Sequence, residues 1–217
     1  MKRQLLLLAS FLLTMTAFSQ SEKYTKAMEQ LVPAVDTTRS IDGLTNLSNS
    51  FQRIADAEKN QWLPYYYAAL TQVNAAYMIG MGQMGMADKT DPIADKAEQL
   101  LTKAETLSKD NSEIYCVKKM IASLRLIGDP QNRYMTYGPA AAEALATAKS
   151  LNPANPRPTL LEAQDKLFTP EQFGGSKTEA KALLEEAIKK FEAFKPESTI
   201  HPAWGLSTAQ YFLSEIK

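Results

Sequence analysis

The chain has 217 residues, 24 basic and 24 acidic side chains, one histidine and one cysteine. Balanced charge with no long run of one sign excludes the basic footprint that nucleic acid or an anionic membrane surface demands, and a single cysteine excludes an intrachain disulfide. Strand-like alternation nowhere lasts more than four residues, while Ala, Leu, Glu and Lys dominate, so the chain reads as all-α.

Residues 1–19 read as a signal peptide. Met1-Lys2-Arg3 is a short basic start, Leu5 to Phe18 is apolar apart from small Ser and Thr, and Ala17-Phe18-Ser19 resembles a cleavage site ahead of Gln20. An apolar run of about 14 residues is shorter than the roughly 20 a membrane span requires. No cysteine follows it for lipid attachment. The expectation is export to the periplasm or beyond, with no stable membrane anchor in a mature domain of residues 20–217. Loss of Lys2 and Arg3 leaves that domain 22 basic against 24 acidic side chains.

Helical patterns then follow in pairs. Tyr24 to Val35 forms the first helix, bent or ended near Pro33, and Asp42 caps a second whose apolar face is Leu44, Leu47, Phe51 and Ile54. The second pair opens at Trp62-Leu63-Pro64, runs through Tyr77, and returns as Asp91–Leu107, with Asp91 as cap before Pro92. The third pair is Ser112–Ile127, capped by Ser112, and Gly138–Leu151. The fourth is Pro156–Phe168 and Ser176–Phe194, and a last segment, Pro202–Ile216, covers the end of the stack. Cys116, inside an apolar pattern, reads as a small buried hydrophobe.

One spacing recurs through these pairs. Ala141, Leu145, Ala148 and Leu151 fall at i, i+4, i+7 and i+10 on one helical face, ahead of Pro153. The same slots hold Ala97, Leu101, Ala104 and Leu107 forty-four residues earlier, and Leu184, Ile188, Phe191 and Phe194 forty-three later, with Pro196 following. A looser copy is Leu47, Phe51, Ile54 and Ala57. At these residues the chain resembles the tetratricopeptide-repeat family, in which the second helix of each pair carries a small residue, a large apolar one, Ala, an apolar residue and Pro. Phe191 stands where that family has Ala. The resemblance implies an α-α superhelix of about four helical hairpins plus a C-terminal capping helix, and a protein that binds partners rather than performing chemistry.

The repeat period of 43–50 residues exceeds the family's ~34. The extra length is assigned to turns within each pair, at Met78–Thr90, Gly128–Tyr137 and Thr169–Gly175, which should project from one edge. They carry Met78, Met81, Met84 and Met86, then Arg133, Tyr134, Met135 and Tyr137, then Phe173. Aromatic, Met and Arg side chains in a row have the composition of a recognition surface. On the helix before them, Trp62, Tyr66 and Tyr77 share a face that is mostly core, with a residue or two left to line the groove. The candidate partner-binding residues are therefore Tyr66, Asn74, Tyr77, Arg133, Tyr134, Tyr137 and Phe173.

The expected function is an exported, non-enzymatic scaffold that binds a peptide or protein through its concave groove and these loops. The alternative is a carrier of a small ligand, a glycan or a soft metal; the four methionines would suit Cu(I). No cofactor is expected. Gly80-Met81-Gly82-Gln83-Met84-Gly85 matches G-x-G-x-x-G without the preceding strand that a dinucleotide site needs. His201 is the lone histidine, next to Pro202, with no nucleophile motif to serve, and Asp88, Asp91 and Asp95 lack the alternation of a calcium loop.

Overall fold

The computed structural model describes residues 22–80 and 84–216, so the expected signal peptide and Met81 lie outside the described residues. Those residues are helical with no strand among them. Residues 22–31 form α1, followed by a 3-10 turn at Val32–Asp36, and then α2 (Ile41–Ala57), α3 (Trp62–Ile79), α4 (Ala87–Leu107), α5 (Ser112–Gly128), α6 (Pro130–Leu151), α7 (Pro156–Phe168), α8 (Lys177–Ala193) and α9 (Leu206–Glu215). None of the described helices is long and apolar enough to cross a membrane.

Short polar side chains start these helices by accepting the first free backbone N–H groups. Asn111 Oδ1 accepts from Glu113 N at 2.9 Å, Asn155 Oδ1 from Arg157 N at 3.0 Å, and Ser176 Oγ from Glu179 N at 3.2 Å. Three expected caps are corrected, Asp91 among them because α4 starts ahead of it. Ser40, not Asp42, caps α2, accepting from Gly43 N at 3.1 Å, and Asn111 rather than Ser112 caps α5. Ser112 instead points across to α6, donating to Ala148 O at 2.7 Å.

The extra length of the repeat lies mainly in helix, not loop. α4 begins at Ala87 and α6 at Pro130, so Pro92 and Pro139 sit inside helices. Pro92 is the sixth residue of α4 and Pro139 the tenth of α6; each removes one backbone bond from its helix, and tertiary contacts hold the stretch before it. Gly128 lies so close to α4 that an added Cβ would come within 3.3 Å of Ala87 Cα. Asp91, released from capping, pairs with Arg133 across the two extensions. The third turn does remain a loop, with a 3-10 turn at Glu171–Phe173.

Each helix from α2 onward packs on its chain neighbours, and α5 also touches α3 on one side and α7 on the other, so that these three form a layer backed by α4, α6 and α8. The small-residue spacing faces between the layers: Ala97, Ala104 and Ala148 have no exposed surface, and Leu101 is buried. In α8 the register differs from that expected. Ala180, Leu184 and Ala187 are the fully buried set, so Ala187 rather than Phe191 fills the alanine slot, and Ile188 is only half-buried. The fourth slot is not core, since Leu107 and Leu151 lie exposed at helix ends.

The main core runs from Tyr24 on α1 to Ile121 and Leu124 on α5, and a smaller one joins α7, α8 and α9 around Leu160, Leu184 and Phe191. Trp204 packs against both. Gly205, with φ +113°, opens α9 where a Cβ would come within 2.7 Å of Phe191 Cζ, so only glycine fits this joint.

Candidate functional site

The C-terminal ends of α3, α5 and α7 and the turns that follow them share one edge. Gly85 N–H donates to Ile127 O at 3.2 Å, tying the first turn to the end of α5. Along this edge Met84, Tyr134, Met135, Phe168 and Phe173 are all exposed, Met135 to 80% and Phe173 to 75%. The Phe168 ring lies 5.3 Å from Phe212 of α9, next to exposed Tyr211. Large apolar side chains exposed in this way make the edge a candidate binding surface.

The other expected residues have different employment. Arg133 does not offer its guanidinium outward; it forms a bidentate pair with Asp91 at 2.6 and 2.8 Å and donates to Arg125 O at 3.2 Å. That pairing holds the Asp91 carboxyl below the ordinary aspartate range. Tyr137 is half-buried beneath the Arg125 guanidinium, 5.9 Å from its ring, and Arg125 is itself bound to Asp95 and Glu98 at 2.7 Å. Asn74 and Tyr77 are half-buried, and the Tyr77 hydroxyl donates to Met120 O at 2.8 Å. Of the four methionines, Met78 and Met86 are half-buried and Met84 is exposed. Among the described residues no group of three or more His, Cys, Asp or Glu could hold a metal ion.

The inner groove expected to take a partner is filled by the chain itself. Residues 196–205, between α8 and α9, cross the inner face of α3. The Tyr67 hydroxyl donates to Ile200 O at 2.9 Å, Trp204 Nε1 to the Tyr66 hydroxyl at 2.8 Å, and Trp62 packs edge-on against His201. Thr199 reaches Glu29 on α1 at 2.7 Å, and Asp36 accepts from Gly205 N and from the Ser207 hydroxyl. Tyr66 is consequently fully buried, which corrects its assignment to a groove wall. A sequence pattern cannot show this, because the segment lacks helical periodicity and its contacts reach back more than a hundred residues.

Beneath that segment lies a buried polar cluster. The Tyr66 hydroxyl donates to Glu113 Oε2 at 3.1 Å, while Asn155 Nδ2 and Arg157 Nη1 each donate to Glu113 Oε1 at 2.9 Å. Burial pushes the Glu113 carboxyl above its ordinary range, and Arg157 holds back part of that rise. Burial likewise raises the Cys116 thiol well above its usual value, leaving no reactive thiolate. His201 is engaged by Ser198 Oγ at 2.8 Å and by Glu197 at 3.2 Å.

No protein-family model matches the chain, and no curated protein matches it. Among solved structures it is similar to the HusA haemophore from Porphyromonas gingivalis, with 36% identity, a TM-score of 0.77, and coverage of 89% of this chain and 92% of that one.

Proposed function

The chain belongs to the family of the HusA haemophore, and from that premise we propose that it is an exported, non-enzymatic carrier of a haem-type macrocycle, seated on the edge where the α3–α4, α5–α6 and α7–α8 turns gather. The small-ligand alternative read from the sequence thus takes precedence over the peptide scaffold. The helical stack we read as tetratricopeptide-like, with α3, α5 and α7 as the first helices of their pairs.

The observation that carries this reading is the exposure of Tyr134, Met135 and Phe173 together on one edge. A porphyrin presents two broad apolar faces, which aromatic and thioether side chains cover well. Haem iron accepts Tyr or Met as axial ligand, and this edge presents both types at neighbouring positions in the first turns of α6. His201 is poorly placed to serve, since both ring nitrogens are engaged at the opposite ends of the helices.

Titrating hemin and following the Soret band and tryptophan quenching tests the proposal. In the triple variant Tyr134→Ser, Met135→Ser, Phe173→Ser the affinity should fall at least tenfold, equivalent to about 1.4 kcal/mol. Because these side chains are exposed, thermal stability should stay close to that of the parent. Equal affinity in parent and variant would contradict the assignment.

A further inference from the structure

The described methionines divide by exposure. Met28 and Met120 are buried in the main core, and Met78 and Met86 are half-buried, whereas Met84 is 67% exposed and Met135 80% exposed. Both exposed side chains stand on the turn edge. Met84 lies in the turn between α3 and α4, and Met135 is the sixth residue of α6, next to exposed Tyr134. Cys116, the chain's one cysteine, has no exposed surface, and burial keeps its thiol protonated, so it offers no thiolate to an oxidant. Among the described residues, the sulfurs that a water-borne oxidant reaches first are therefore the two on this edge.

A thioether needs no ionisation to react with a peroxide. Its sulfur lone pair attacks one peroxide oxygen, the O–O bond breaks and an S–O bond forms. The hydroxide released takes the proton of the attacked oxygen and leaves as water. The sulfur is oxidised by two electrons and the peroxide is reduced by two. A flexible apolar side chain becomes a polar, chiral sulfoxide, which methionine sulfoxide reductases can return to the thioether. Against the apolar face of a macrocycle the new oxygen would lose its water without gaining a donor, which opposes binding.

We propose that Met84 and Met135 form an oxidation site, at which a small peroxide reversibly weakens the hold of this edge on its cargo. The loss of cargo rests on the haem-type reading of the edge; the selectivity among the sulfurs rests on exposure alone.

Hydrogen peroxide is the probe. The intact chain is treated with it, freed of it, and divided between peptide mass spectrometry and hemin titration. Met84 and Met135 should each gain one oxygen before Met28 or Met120 changes. Hemin affinity should fall about tenfold and return after reduction by sulfoxide reductases for both epimers. In the variant Met84→Leu, Met135→Leu, whatever its starting affinity, peroxide should leave hemin binding where it was. Oxidation that begins at Met28 or Met120, or an oxidised parent that binds hemin as tightly as the untreated one, would overturn the proposal. An untreated parent that fails to bind hemin would instead overturn the carrier reading of the edge and, with it, the loss of cargo.

Discussion

Asp91 accepts two hydrogen bonds from Arg133 while each keeps about a quarter of its side chain in water, 27% and 25%. Such a pair contributes modestly, up to about 1 kcal/mol, and with a definite pH signature. The Asp91 carboxyl is held below its ordinary value near 3.8, so its contribution is present above that value and is lost as pH falls through the lowered one. Asp91→Asn should therefore cost about 1 kcal/mol or less in urea unfolding near neutral pH, and nothing once the solution is more acidic than the folded carboxyl. Asp91 also shows why one residue was misread from sequence. Asp before Pro is a strong cap signal, and only the approach of Arg133 from another helix, 42 positions on, overrides it.

At the scale of the element, α8 distinguishes two registers of the same repeat. The observed set is Ala180, Leu184 and Ala187, all without exposed surface, whereas the expected one relied on Ile188, which is half-buried. Leu184→Ala should then destabilise by about 2–5 kcal/mol, with Ile188→Ala clearly milder. Ala187→Leu, at a position without exposed surface, should cost about 1–3 kcal/mol through overpacking. Chemical unfolding of the three variants checks the ranking. The helix count, the pairing and the apolar faces were legible because 3.6-residue periodicity is a local property. The starts of α4 and α6 were not, since Pro92 and Pro139 mark boundaries locally and packing at Gly128 carries the helices past them.

For the whole molecule, the decisive feature is a segment without helical pattern. Residues 196–205 fill the inner face of α3 and tie α9 back to the N-terminal turn through Asp36. This joins the two ends of the stack and leaves the turn edge as the apolar surface facing water. Sequence reasoning found that edge through Tyr134, Met135 and Phe173, three exposed side chains whose composition alone was informative. It missed Glu113, Asn155 and Arg157, because a buried polar cluster assembled from α5 and α7 has no local signature, and a lone Arg in a proline-rich helix start reads as surface. The cargo should thus meet the outside of the stack, not its interior.

Methionine methyl NMR with paramagnetic hemin tests that claim most directly, because the chain carries reporters in both places. Met84 and Met135 lie exposed on the edge, while Met28 and Met120 are buried in the main core. On addition of hemin the methyl signals of Met84 and Met135 should broaden beyond detection and those of Met28 and Met120 should persist. Loss of the Met28 and Met120 signals with Met84 and Met135 left sharp would place the cargo inside the stack and contradict the account.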